Sequence, residues 1–573
     1  MTEFSSRVIR LGVIPVFCLK SQGRIFVVRI SYLETGKCLN PRKPQWYPYV
    51  KIVLKHRLFR RQPSFHTLRS GINAVFCRNL QNIAIFAKRK KGKTMCDIIG
   101  RKKEIAELRR YYDSGRAEFV AVYGRRRVGK TFLVNEVFHD DMVFHHTGLS
   151  PYDRQRKVTL KAQLQNFYFS LIRHGMENIA QPKSWMEAFF LLERFLDTCD
   201  NGSRQVVFID ELPWMDTARS GFLTALEAFW NGWGNMRHNL LLIVCGSATS
   251  WMLDNLISNK GGLYGRLTGE IKLSPFTLKE SEDFYASRGI KMSRYNVAQA
   301  YMVMGGIPFY MNFFNPAYSL AQNIDTLFFA RNAKLGDEFE RLFNSVFDNA
   351  DDCMRIVRLL ATRHAGFTRK EITEKTGLKA NGDLTKMLKA LIGSDFVIRY
   401  VPFGSGGRDE RYKLVDSFCW FWLHFKESKE IKQEDYWQRH LRESDIASWR
   451  GIAFEEICFL HIAQIKQALN IGGVSSVESS YVVRGEGEHD GMQIDLIIER
   501  ADDVVNLCEM KFYKSPFTLT RQYAQTLTTR LQKMEEKYPD YTFHLTYIGG
   551  TELAKNEYSD LFVSVLTLDD LFR

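Results

Sequence analysis

Phe119-Val120-Ala121-Val122-Tyr123 is a short apolar run that stops at Gly124-Arg125-Arg126-Arg127-Val128-Gly129-Lys130-Thr131, and this stretch decides how the chain is read. The run has the length of a buried strand, and Phe132-Leu133-Val134-Asn135-Glu136-Val137 after it has the pattern of a helix start. A G-x-x-x-x-G-K-T loop between strand and helix is suited to phosphate. Its glycines let backbone N–H groups close around an anion, and the helix that starts at Gly129 adds unpaired N–H groups and a positive dipole end. Lys130 is then expected at the β- and γ-phosphates of a nucleotide, and the Thr131 hydroxyl on Mg²⁺.

A second stretch belongs with it. Val206-Val207-Phe208-Ile209 is an apolar strand ending in Asp210-Glu211. In P-loop ATPases such a strand lies beside the phosphate loop. Its first carboxylate steadies Mg²⁺ and its second orients or deprotonates the attacking water, which are the roles expected of Asp210 and Glu211. Leu240 to Cys245 is another fully apolar strand, ending at Gly246-Ser247.

The chain has 573 residues, enough for three or four domains, with 45% hydrophobic and 13% aromatic residues. This suits a soluble globular protein, and no run of 18 apolar residues suggests a membrane span. Ten cysteines without paired metal-ligand spacing fit reduced thiols of a cytoplasmic protein. The net charge of +16 is concentrated at one end: residues 1–94 hold 20 Lys and Arg against Glu3 and Glu34, leaving 60 basic against 62 acidic residues in the rest. The basic segment is open to three readings: a nucleic-acid-binding arm, a targeting segment, or a stretch outside the native protein. The change in character at Met95 favours the last.

From Met95 the motifs line up with a known family. Ile99-Gly100-Arg101 with Glu104, the Tyr123 to Thr131 loop and Phe208-Ile209-Asp210-Glu211 together resemble the archaeal-type ATPases of the STAND group of P-loop ATPases, whose members commonly begin where Met95 stands. The resemblance implies ATP and Mg²⁺ as cofactors, with Gly124, Arg125, Arg126, Arg127, Val128, Gly129, Lys130, Thr131, Asp210 and Ser247 around the nucleotide. It places Ser247 at a γ-phosphate sensor position and Arg266, after Gly265, where an arginine stabilises developing charge, with an exposed salt-bridge arginine as the alternative at 266. Gly305-Gly306-Ile307-Pro308 resembles the family's turn in a helical lid, with glycine packing against nucleotide.

Two further domains are expected. Met354 to Arg363, a helix opened by the Thr368–Glu371 capping box, Asp383 to Leu391, and strands at Phe396 to Pro402 and Arg411 to Leu414 read as a winged helix, with Lys386 and Lys389 able to face DNA. Near the C-terminus, Gln493 to Ile498 and Val504 to Lys511 flank the polar turn Arg500 to Asp503. A hairpin centred on residue 502 sets Asp495 opposite Glu509, with Lys511 on the Glu509 face and Glu455 reaching in from a helix. Two carboxylates and a lysine so placed could hold Mg²⁺ on Asp495 and Glu509 and activate water. The pattern resembles the restriction-endonuclease-like PD-(D/E)XK fold, although Ile494 stands where that family has proline.

The expected architecture is therefore an α/β protein: a P-loop NTPase parallel sheet (95–285), a helical lid (286–345), a winged helix (346–425) and an α/β restriction-endonuclease-like domain (426–573). Two functions compete. In one, ATP state gates a metal-dependent nuclease using Glu455, Asp495, Glu509 and Lys511. In the other, a regulatory ATPase carries winged-helix and nuclease-like domains that only bind nucleic acid or a protein. The expected partners are ATP, with DNA and a regulatory protein as candidates and no membrane; oligomerisation is left open.

Overall fold

The computed structural model describes Phe17–Ser21, Arg24–Val28 and residues 98–573 except 151, 154–155, 258–260, 264, 348, 429–430, 432 and 484–490. The chain divides into two compact units, Met1–Lys93 and Thr94–Arg573. In the first, Phe17–Ser21 and Arg24–Val28 pair antiparallel. The three readings of the basic segment otherwise fall outside the described residues.

The second unit begins with helix α1 (Lys102–Tyr112) and a parallel sheet. Its strands are β1 (Glu118–Tyr123), β2 (Met142–Thr147), β3 (Gln205–Asp210), β4 (Leu240–Gly246) and β5 (Gly269–Lys272), in the spatial order β2-β3-β4-β1-β5. β3 and β4 are buried along their whole length, as expected of parallel strands covered on both faces. Alternation divides their side chains between two cores. Val120, Val122, Phe208 and Cys245 face α1 and α2 (Lys130–Val137). Phe119, Ala121, Val207 and Ile209 face α3 (Leu160–Arg173), α4 (Trp185–Thr198) and α5 (Phe222–Gly232). α4 shows why the second layer forms: Ser184 accepts the Glu187 N–H as a cap, and Trp185, Ala188, Phe189, Leu192 and Leu196 form one buried stripe.

Strand order decides what lies near the loop. The Asp210 strand is not next to the loop strand; β4 lies between them and delivers Ser247 into the gap.

Helices α6 (Leu278–Ser287), α7 (Arg294–Met304) and α8 (Glu338–Val346) extend the first core. The glycines of the Gly305–Pro308 turn lie against other protein segments. A Cβ on Gly306, at φ +64°, would lie 2.3 Å from the Phe276 carbonyl oxygen, and Gly305 approaches Ser417 and Phe418. The close approach at Gly306 leaves no room for a side chain. Next come α9 (Ala350–Leu360), α10 (Arg369–Thr376) and α11 (Gly382–Gly393), with the antiparallel sheet β6 (Phe367–Thr368), β7 (Val397–Tyr400) and β8 (Arg411–Leu414) in the order β6-β8-β7. The Thr368–Glu371 capping box is present.

The hairpin joining β7 to β8 is docked rather than free. Phe403 is buried against Tyr538, Tyr541 and Phe543, and its N–H donates to the Ser480 carbonyl at 3.0 Å. Those partners belong to the last module: α12 (Ser444–Leu460), strands β9 (Ser476–Val483), β10 (Met492–Arg500) and β11 (Val504–Lys511), α13 (Arg521–Lys537), then β12 (Thr542–Gly549) and β13 (Ser564–Thr567). Its sheet is mixed, antiparallel from β9 to β11 and parallel from β11 to β13.

Candidate functional site

The Gly124–Thr131 loop leaves the carboxyl end of β1 and enters α2. Gly124 has φ +130°, and a Cβ there would sit 2.4 Å from the Leu273 carbonyl oxygen, so only glycine lets the loop turn against β5. Lys130 lies back along the loop, its Nζ donating to the Gly124 and Arg125 carbonyls at 2.9 Å each. Burial lowers the pKa of its ammonium. The Thr131 hydroxyl donates to Asp210 Oδ2 at 3.0 Å, so the two residues expected to share Mg²⁺ are in contact. They are hard oxygen donors of the kind Mg²⁺ takes.

Glu211 stands just past β3 with φ 48° and ψ 48°, a left-handed conformation that is uncommon outside glycine. Ser247 holds its carboxylate there, donating from its N–H to Oε2 at 3.2 Å and from its hydroxyl to Oε1 and Oε2 at 3.1 and 2.9 Å. Burial raises the pKa of both Asp210 and Glu211. For Glu211 the shift is toward the range a general base needs.

The loop arginines have partners that sequence reading missed. Arg125 is buried and pairs with Asp416, beyond β8. Arg126 reaches the Ser345 carbonyl at 3.2 Å, and Arg127 reaches Glu338 at 2.7 Å. These pairings join residues far apart in the chain, and no local pattern marks them. Arg266 stands exposed, with its N–H on the Leu263 carbonyl. Among the described residues no hydrogen bond or ion pair links its side chain to Lys130, Asp210 or Glu211.

Of the four C-terminal residues, Glu509 and Lys511 meet as expected, and among the described residues no hydrogen bond or ion pair joins Asp495 to them. The hairpin register is the one anticipated: Leu496 opposes Cys508 and Ile498 opposes Asn506, which centres the turn on residue 502 and carries Asp495 toward Glu509 along the backbone. A bulge changes the faces. Between the pairs Ser479–Ile497 and Tyr481–Ile494, Asp495 and Leu496 together oppose Ser480. Met492 and Ile494 therefore pack with the α13 core, whereas Leu496 and Ile498 pack with the α12 core. Glu509 falls on the α13 side, with Lys511 Nζ at 2.6 Å, Arg530 at 3.5 Å and the Tyr523 hydroxyl donating to it. Burial alone would lower the pKa of Lys511, but the Glu509 carboxylate raises it. The Asp495 charge adds to the burial that raises the pKa of Glu455 on α12. Among the described residues, no group of three or more His, Cys, Asp or Glu is placed to hold a metal ion.

Glu455 is part of a charge cluster between α12 and the α9–β8 module. Lys413 Nζ and His364 Nδ1 both meet Glu456 Oε1 at 3.0 Å, and His364 Nε2 lies 3.6 Å from Glu455. Burial, then the Asp495 charge, lifts Glu455 to a pKa of about 8. The folded chain therefore holds a proton there that the unfolded chain releases near the ordinary carboxylate value. Stability then falls as pH rises from about 4.5 to about 8. Glu455→Gln is expected to match wild type near pH 4.5 and to melt higher above pH 8, with a gain of a few kcal/mol at about 1.4 kcal/mol per pKa unit. Thermal melts across this pH range measure it; a uniform offset at every pH would refute it.

A parallel α/β sheet with a glycine-rich loop at its carboxyl edge, a threonine and an aspartate in contact beneath it, and a glutamate beyond has the organisation of a P-loop ATPase domain. Residues 98–313 match the family described as the ATPase domain predominantly from Archaea. An uncharacterized protein of Methanocaldococcus jannaschii is 24% identical over 417 residues, covering 71% of this chain and 85% of that protein. Among solved structures, a Walker-type ATPase of Pyrococcus abyssi aligns with 57% of this chain and 97% of its own at 17% identity and a TM-score of 0.41. The ORC2 protein of Aeropyrum pernix, in ADPNP and ADP complexes, aligns with 59% of this chain and 99% of its own at 13% identity and a TM-score of 0.36.

Proposed function

We propose that the protein is a cytoplasmic, nucleotide-controlled switch: a Mg²⁺-dependent ATPase of the STAND type whose helical lid, winged helix and nuclease-like domain respond to the bound nucleotide. The observation that carries this is the Thr131–Asp210 contact at 3.0 Å under the loop, with Glu211 held beside it by Ser247. Thr131 and Asp210 would hold Mg²⁺, which supplies neutralisation of the β,γ-phosphate oxygens. Lys130 adds a second cation there, and the Gly129 end of α2 presents N–H groups to the phosphates. Glu211 orients the attacking water and takes its proton, while Ser247 keeps the carboxylate aimed.

For the C-terminal half, the regulatory reading is better supported than the nuclease. Glu509 is occupied by Lys511, Tyr523 and Arg530, and the Asp495 side chain accepts from Gln493. Residues 350–414 have the helix and strand order of a winged helix, and Lys386 and Lys389 are exposed on α11, a face suited to DNA or an acidic protein. The hairpin carrying Phe403 is committed to the C-terminal domain, which favours a relay role for this module. The test is Mg²⁺-ATP hydrolysis by the full chain alongside plasmid nicking with ATP and Mg²⁺. The expected result is phosphate release without DNA cleavage; nicking that is lost in Asp495→Ala restores the nuclease reading.

A further inference from the structure

Three of the four residues between the loop glycines are arginines, and each reaches an oxygen from beyond residue 313. Arg125, 1% exposed, pairs with Asp416, whose other oxygen caps the following helix through the Cys419 N–H at 2.8 Å. Arg126 holds the Ser345 carbonyl near the end of α8. Arg127 Nη1 lies 2.7 Å from Glu338 Oε1 in the first turn of α8, with its guanidinium 4.3 Å over the Phe309 ring. Glu338 is 3% exposed, and the Tyr310 hydroxyl donates to it at 2.9 Å. It is a desolvated anion seated on the loop expected to receive an anion.

We propose that Glu338 is a positioning residue of the nucleotide site: docked on Arg127, it neutralises the loop and weakens nucleotide binding, and bound phosphate in turn weakens its hold. The proposal rests on nucleotide binding at this loop. Arg127 belongs to the eight-residue loop and lies three positions before Lys130, so phosphates cradled by the loop feel both its guanidinium and the Glu338 carboxylate. In a low-dielectric setting such charges are little screened by salt. Removing the negative charge leaves the arginine free for phosphate and removes a like-charge repulsion. Linkage makes the effect reciprocal: phosphate in the loop draws Arg127 from Glu338 and loosens α8, the helix whose far end Arg126 holds. α8 leads into the α9–β8 module, giving the nucleotide a mechanical route to the C-terminal half.

The sign separates this from a merely structural role. Glu338→Gln keeps the shape and can keep the Tyr310 bond, and Arg127 is partly exposed, so the fold is expected to hold. Isothermal titration of the full chain with ADP and with a non-hydrolysable ATP analogue in Mg²⁺ is expected to show roughly 5-fold or more tighter ADP binding in Glu338→Gln, the lower end of measured couplings. In an Arg127→Ala background the same substitution is expected to keep only the part of the gain that comes from relieving like-charge repulsion. Wild-type binding with an equal or weaker Kd in folded Glu338→Gln overturns the proposal alone. No binding by wild type, Lys130→Ala behaving identically, overturns the nucleotide reading and the proposal with it.

Discussion

Glu211→Gln is expected to bind ATP about as well as wild type and to hydrolyse it roughly 10²–10⁴-fold more slowly, the usual contribution of a positioned general base. Binding draws on the loop amides, Lys130, Thr131 and Asp210, none of which the substitution touches. Hydrolysis needs a group that accepts a proton from water, and an amide cannot. The geometry sharpens the expectation, because Ser247 donates to the Glu211 carboxylate from both its N–H and its hydroxyl. Glutamine still offers an oxygen to these donors, so the left-handed turn at position 211 is kept and the loss is chemical. Steady-state phosphate release beside nucleotide titration reads the two effects separately. Equal turnover in variant and wild type would reject the assignment of the base.

Lys130→Ala is expected to weaken ATP binding by about 2–5 kcal/mol, the scale measured when one partner of a buried charged contact is truncated, or some 30-fold to several thousand-fold. Its Nζ bonds the Gly124 and Arg125 carbonyls within the loop, so the ammonium needs only to turn from these to meet phosphate. Its depressed pKa has burial as the main cause, and an incoming phosphate dianion would reverse that pressure. Titration with ATP in Mg²⁺ measures the loss, with a thermal melt to show that the fold persists. Retention of wild-type affinity would place the phosphates elsewhere.

The two halves of the chain differ in how far local pattern carried. Around the loop, nearly everything expected rests on short-range cues: a five-residue apolar run, two glycines, a lysine and threonine at the head of a helix, and an apolar strand ending in Asp210 and Glu211. Such features are set by backbone sterics and by which faces must be buried, so they can be read from neighbours in the sequence. Ser247 was legible as a polar strand end, but its hold on Glu211 was not. That contact depends on β4 lying between β1 and β3, and strand order is a matter of sheet assembly. The C-terminal hairpin shows the limit most plainly. Its register followed from the turn, yet one extra residue at Asp495–Leu496 interrupted the alternation and separated residues that a regular strand would have joined.

By itself, then, the sequence determined the glycine-rich loop with its strand and helix, the buried carboxylate strand, the Thr368–Glu371 cap and the turn at residue 502. Each of these is encoded within a few residues by glycine conformation, apolar period or capping chemistry. Only the tertiary structure decided that Asp416, Ser345 and Glu338 occupy the three loop arginines, that Phe403 binds its hairpin to the last domain, and that a bulge at Asp495–Leu496 breaks the alternation of the C-terminal hairpin. The reason is physical: an exposed arginine and a buried one look alike in sequence, and a charge finds its partner only after packing has brought distant segments together and removed the water between them.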